Sequence, residues 1–161
     1  VEDRLAALGL SLPERCDPRG NFLPFERTGS LVIMAGPICE WNGGVPFTAP
    51  VRGGDDAADE AETSISLEEG RRAAEICALN LLSHLRSACD GDLDRVTSVV
   101  RVGGCVNCRF GFDKSPAVIN GASDLFIALY GDAGRHARTA VGVAGLPANA
   151  SVEVDAVFEI A

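Results

Sequence analysis

The residues with the most chemical potential lie in the last third of the chain. Arg138 and Glu153 fall in two apolar strand-like runs, 137 to 144 and 151 to 160, on either side of Gly145-Leu146-Pro147-Ala148-Asn149. Side chains alternate along a strand. Val141 and Val143 therefore share one side, read as core, while Arg138, Ala140 and Gly142 share the other. In the final run Val152, Val154, Ala156, Phe158 and Ile160 share a side, which leaves Glu153, Asp155 and Glu159 opposite. Paired as a hairpin about Pro147, the runs put Glu153 opposite Gly142, with Arg138 ~4 residues further along, ~13 Å at the usual strand rise. The small Ala140 and Gly142 leave room beside Arg138, and a small anion and a water fit between the two charges. Taken alone, Arg138 reads first as an ordinary surface or interface ion-pair partner, and Glu153 equally as a solvated acid or a cleft carboxylate.

Other constellations carry less. Cys105-Val106-Asn107-Cys108 has Cys-x-x-Cys spacing, which serves zinc or redox chemistry. A zinc site needs about two more ligands, and neither His84 nor His136 sits in a paired spacing. The pair reads as two plain cysteines at a strand end, and no metal is expected. His84 reads as a surface or satisfied histidine, whereas His136, beside Ala137-Arg138, is a candidate to line a cleft. Gly103-Gly104 lacks the Lys-Ser/Thr context of a phosphate loop. Trp41 and Phe47 fall in a hairpin loop, as packing or as a cleft rim.

These residues need a scaffold, and the rest of the chain predicts one. Residues 2 to 8 read as a short helix with Leu5 and Leu8 on one side and Gly9 as its stop. The run Leu31-Val32-Ile33-Met34-Ala35, bounded by Gly29 and Gly36, reads as a buried strand. A strand from Phe22 to Arg27 pairs with it through Thr28-Gly29-Ser30. Ser66-Leu67-Glu68-Glu69 is a capping box that opens a helix. Its buried face is Ala74, Cys77, Ala78, Leu81, Leu85 and Ala88. Val96 to Val102 reads as a strand, followed by a long extended segment from Gly103 to Lys114. Ser115-Pro116 supplies an N-cap and a first-turn proline for a second helix, apolar at Val118, Ala122, Leu125, Phe126 and Leu129. The pattern predicts an α/β (α+β) domain over 1–161, with 1–19 as an N-terminal extension. Its single sheet is covered on one face by two helices.

Composition sets the outer bounds. The 161 residues suit one domain, and 47% hydrophobic with 23% charged residues is ordinary for a globular protein. The formal net charge of -9 repels phosphate backbones, so nucleic acid is not expected as a partner. The acids at Asp55, Asp56, Asp59, Glu60 and Glu62 read as a solvated loop. No apolar stretch is long enough for a membrane span, and Val1 to Arg4 do not have the form of a signal peptide. A cytoplasmic location follows, with all six cysteines reduced.

Certain motifs resemble a known family. Ala137-Arg138-Thr139-Ala140-Val141-Gly142-Val143, then Leu146-Pro147, then Val152-Glu153-Val154 is similar to the closing signature of the reactive intermediate deaminase (Rid, or YjgF-like) family, also known by the older label endoribonuclease L-PSP. Gly20-Asn21-Phe22, Thr28-Gly29, Ala35-Gly36 and Val118-Ile119-Asn120 resemble its earlier positions in the same order. The resemblance spans residues 20 to 161. It implies a chorismate-mutase-like fold assembled as a homotrimer with clefts between subunits. It also implies hydrolysis of reactive enamine and imine acids to a 2-keto acid and ammonia, without metal or organic cofactor.

By that resemblance Arg138 holds the substrate carboxylate and Glu153 holds or activates water. Phe22, Gly36, Asn120 and Ala140 complete a substrate-binding cleft. The chain departs from the family at Phe22, where many deaminases have Tyr, and at Ala35-Gly36-Pro37 in place of Ser-Gly-Gln. His136 also stands where a proline usually precedes Ala-Arg. These departures motivate an alternative, a non-catalytic trimer that binds or senses small carboxylates. The endoribonuclease label conflicts with the negative charge.

Overall fold

The computed structural model describes residues 1–53 and 64–161. The acidic run expected as a solvated loop lies outside the described residues. The elements are α1 (Glu2–Ala7), β1 (Phe25–Thr28), β2 (Leu31–Met34), α2 (Leu67–Ala88), β3 (Val96–Asn107), α3 (Ser115–Tyr130), β4 (Ala137–Val143) and β5 (Val152–Ile160).

Helix α2 starts where its capping chemistry places it. The Ser66 hydroxyl accepts from Glu69 N at 3.2 Å, and Glu69 Oε2 accepts from Ser66 N at 2.8 Å. Each side chain thus satisfies a backbone donor that the first turn leaves free. The predicted apolar faces of α2 and α3 are buried, and the T-shaped pair Phe126–Phe158, 5.5 Å apart, joins α3 to the sheet. Ser115, expected as N-cap, is instead the first helical residue, because its side chain is drawn into the interior near Gly142. No helix among the described residues is long and apolar enough to cross a membrane.

The sheet order is β1-β2-β5-β3-β4, all antiparallel except β3 with β4. The expected hairpin between the last two strands does not form. β3 lies between them, pairing in parallel with β4 through the α3 crossover and antiparallel with β5. Parallel neighbours need such a crossover. The connection 144–151 then has to step across only two strand spacings, about 9.5 Å, which eight residues do with ease. β3 runs on to Asn107, beyond the expected end at Val102, because both its edges are occupied.

The faces of β4 are also the reverse of the expected ones. Arg138 pairs with the fully buried Val102, and Gly142 with Val106, so Arg138, Ala140 and Gly142 point to the helix-covered side. Val141 is 44% exposed and shares the open face with Cys105 and Glu153. Alternation defines two sets of side chains but not which set is inside. The small residues here allow close packing: a Cβ at Gly142 would sit 2.5 Å from Cys108 Sγ.

Candidate functional site

The proposed site residues form two groups on opposite faces of the sheet. The first gathers on the helix side of the edge strand β4. Arg138 Nη1 donates to Asn120 Oδ1 at 2.7 Å and to Ser123 Oγ at 3.0 Å, and Nη2 donates to the Pro116 carbonyl at 3.2 Å. Pro116, Asn120 and Ser123 are four and three residues apart, so they form one stripe along α3. Every oxygen in this cradle is neutral, and among the described residues Arg138 has no carboxylate partner. A guanidinium has five N–H donors. The Nε–H and one Nη2 hydrogen remain available.

His136 orders this cradle. Its Nδ1 faces the Gly134 carbonyl at 2.7 Å and must donate, since a carbonyl only accepts. The neutral ring therefore accepts at Nε2 from the Ser123 hydroxyl at 2.9 Å, which turns the Ser123 lone pairs toward Arg138. Burial holds the His136 pKa below its ordinary value, with the Arg138 charge acting in the same direction and the Gly134 carbonyl opposing. The ring also packs edge-on against Phe126, 6.2 Å away. Ala140 follows on the same side of β4, paired with Gly104.

The second group lies on the open face. Glu153 pairs with Cys105 across the β5–β3 ladder and is bridged on its other side by Ile38. Gly36 is pressed against it: a Cβ there would stand 3.1 Å from both Glu153 Cγ and Oε1. Burial raises the Glu153 pKa, with Asp155 adding to the effect, and among the described residues the carboxylate has no ion-pair partner. It opens into a cavity of about 420 Å³, with Phe22, Gly36, Pro37, Cys16 and His84 among its walls.

The expected set is thus brought together in two parts, Arg138 with Asn120 and Ala140, and Glu153 with Phe22 and Gly36. The proposed approach of Arg138 to Glu153 within one chain is not present, because they project from opposite faces. Sequence reading missed Ser123, although its spacing from Asn120 was a usable signal. It also missed Cys16, whose Sγ lies 3.5 Å from His84 Nε2 across 68 positions, a juxtaposition no local pattern encodes.

Cys105 and Cys108 are free and half-buried, and burial raises both thiols. Among the described residues no group of three or more His, Cys, Asp or Glu is placed to hold a metal ion.

Comparison with known proteins agrees with this architecture. The chain is 37% identical to Protein TCP17 of Trypanosoma cruzi over 99% of its own length and 94% of that protein's. The structure resembles Atu1372 of Agrobacterium tumefaciens, a protein of unknown function, with a TM-score of 0.87 at 37% identity, covering 99% and 92% of the two chains. It also shares the fold of RidA from the Antarctic bacterium Psychrobacter sp., with a TM-score of 0.56 at 22% identity over 91% and 94%. The model of the YjgF/chorismate mutase-like endoribonuclease family matches residues 2–160. With one mixed sheet, two helices on one face and a match along its whole length, the chain belongs to the YjgF/chorismate mutase-like, or Rid, family.

Proposed function

We propose that this chain hydrolyses small reactive enamine and imine acids to 2-keto acids and ammonia, in a cleft to which two copies contribute. The observation that carries this reading is the guanidinium of Arg138, held by neutral oxygens alone with donors to spare. A cation fixed this way is prepared for a carboxylate, which its planar fork can take through two parallel bonds.

Glu153 is the complementary half, a partly buried carboxylate without a cation partner among the described residues. Since the two groups leave opposite faces of one sheet, a shared substrate requires the open face of one copy to meet the β4 edge of another. Arg138 of one copy then anchors the substrate carboxylate, and Glu153 of the other takes a proton from water as the water oxygen bonds to the imine carbon. From the protonated imine this gives a carbinolamine, whose nitrogen receives that proton; as the C–N bond breaks, the hydroxyl proton returns to Glu153, the carbonyl forms and ammonia leaves. A carboxyl with a raised pKa suits both halves of that transfer. Holding the reactants in place supplies the remainder, and no cofactor is needed.

The apolar Phe22, Ala35 and Pro37 at the Glu153 cavity favour a second reading, a trimer that binds small carboxylates without turnover. Ammonia release from 2-aminoacrylate generated in situ decides between them. The wild type should accelerate release. Arg138→Ala should lose on the order of 100-fold in kcat/KM, the scale of hydrogen bonds to a charged group, and Arg138→Lys should recover only part. Unchanged rates in Arg138→Ala would refute the deaminase assignment. Binding of 2-keto acids without turnover would establish the second reading.

A further inference from the structure

The cavity beside Glu153 is larger than the smallest substrates need, and its extra wall comes from the N-terminal extension. That segment is fastened along α2: the Ser83 hydroxyl donates to the Pro13 carbonyl at 2.8 Å and Arg15 Nη1 to Ser87 Oγ at 2.7 Å. Cys16 meets His84 at 3.5 Å, and Arg19 forms a 2.7 Å ion pair with Glu40. The wall is thus tied to the helix and, through Arg19, to Glu40 in the loop after β2.

We infer that this cavity is a side-chain pocket, and that the chain favours imino acids with an apolar side chain of branched-aliphatic to phenyl size. The inference rests on the proposed hydrolysis and adds its substrate class.

Size is the first argument. The cavity holds about 420 Å³. Taking ~30 Å³ for each water-sized unit of liquid, an alanine-derived imine of six heavy atoms fills less than half of it. On the same scale the leucine-derived imine, with nine heavy atoms, and the phenylalanine-derived one, with twelve, still fit.

The lining is the second argument. Phe22, Pro37 and Ile38 present apolar surface, and the departures at Phe22 and Pro37 are the positions where polar groups were expected. The polar groups present do not invite a charged side chain. Asp17 is exposed to solvent at the rim, and Glu40 is already paired with Arg19. Burial biases the Cys16 thiol and the His84 imidazole toward their neutral forms. Filling such a space with hydrocarbon gains roughly fourfold in binding for each methylene removed from water. Three extra carbons therefore separate leucine-derived from alanine-derived substrate by on the order of tenfold or more.

The test compares kcat/KM for imines generated by an amino-acid oxidase from L-leucine, L-phenylalanine and L-alanine. The wild type should prefer the first two by at least about tenfold. Cys16→Phe and Ala35→Leu, which add bulk from different walls, should each reduce that ratio several-fold. A wild-type preference for the alanine-derived imine, or a ratio unmoved in both variants, overturns the inference. If no imine is hydrolysed, the proposed function fails by itself. The pocket is then read by binding of 4-methyl-2-oxopentanoate against pyruvate: tighter binding of the former that both variants weaken sustains the pocket, and equal binding removes it.

Discussion

Arg138 and Glu153 are held in opposite ways, and each arrangement has a consequence. Arg138 sits among neutral acceptors whose orientation is set by neighbours: Asn120 lies on the same stripe of α3, and Ser123 is turned by His136. His136 occupies the position expected to hold proline, and a proline could not accept from the Ser123 hydroxyl. Glu153 is instead desolvated beside Asp155 and pressed on Gly36, and its ionised form is disfavoured. A carboxyl whose pKa is raised by folding binds its proton more tightly in the native state. The cost to stability is absent below the ordinary carboxyl range, near 4.5, and complete above the raised value. Glu153→Gln should therefore melt higher than the wild type at pH 8, and the two melting curves should converge near pH 4. A difference that stays constant with pH would assign the effect to something other than the buried charge.

At the scale of elements, two glycines let the layers approach. On β3, a Cβ at Gly104 would stand 2.4 Å from Ile119 Cδ1 and 2.5 Å from its Cγ1, side-chain atoms that can shift more readily than backbone. On α3, a Cβ at Gly121 would stand 2.0 Å from the Arg71 carbonyl oxygen of α2, which is backbone and cannot. Gly121→Ala is expected to force the helices apart and to cost about 1–3 kcal/mol in denaturant unfolding, the usual range for overpacking. Gly104→Ala should cost less. The reverse order would mean that the α2–α3 contact is looser than its geometry implies. Helix position matters to the site, because α3 carries the Pro116, Asn120 and Ser123 acceptors that aim Arg138.

At the scale of the whole molecule, one chain holds the two candidate groups on opposite faces of its sheet, and the proposed reaction needs both. The open face carries Glu153 together with exposed Ile33 and Val141, while Arg138 stands at the sheet's outer strand. A shared cleft makes a prediction that a single-chain site does not. When inactive Arg138→Ala and Glu153→Gln chains are unfolded together and refolded as an equal mixture, about a quarter of the interfaces should pair an intact Arg138 with an intact Glu153. Activity should return to about that fraction of the wild-type rate. No recovery, with mixed assemblies present by mass spectrometry, would place both residues in one chain's site and sink the shared cleft.

Local rules were enough for much of this molecule. Ser66 and Glu69 announced the start of α2, and helical spacing named the buried faces of α2 and α3. These features depend on residues a few positions apart, where hydrogen-bond reach and side-chain alternation operate. What lay beyond local rules was partnership. Gly142 looked the same whether its missing side chain admitted a ligand or, as the structure has it, the Cys108 thiol. The runs at 137 and 151 also looked like a hairpin until β3 took the place between them. That choice depends on which long-range ladders close together. It sent Arg138 and Glu153 to opposite faces, so two candidate groups that read as neighbours along the chain stand apart in space.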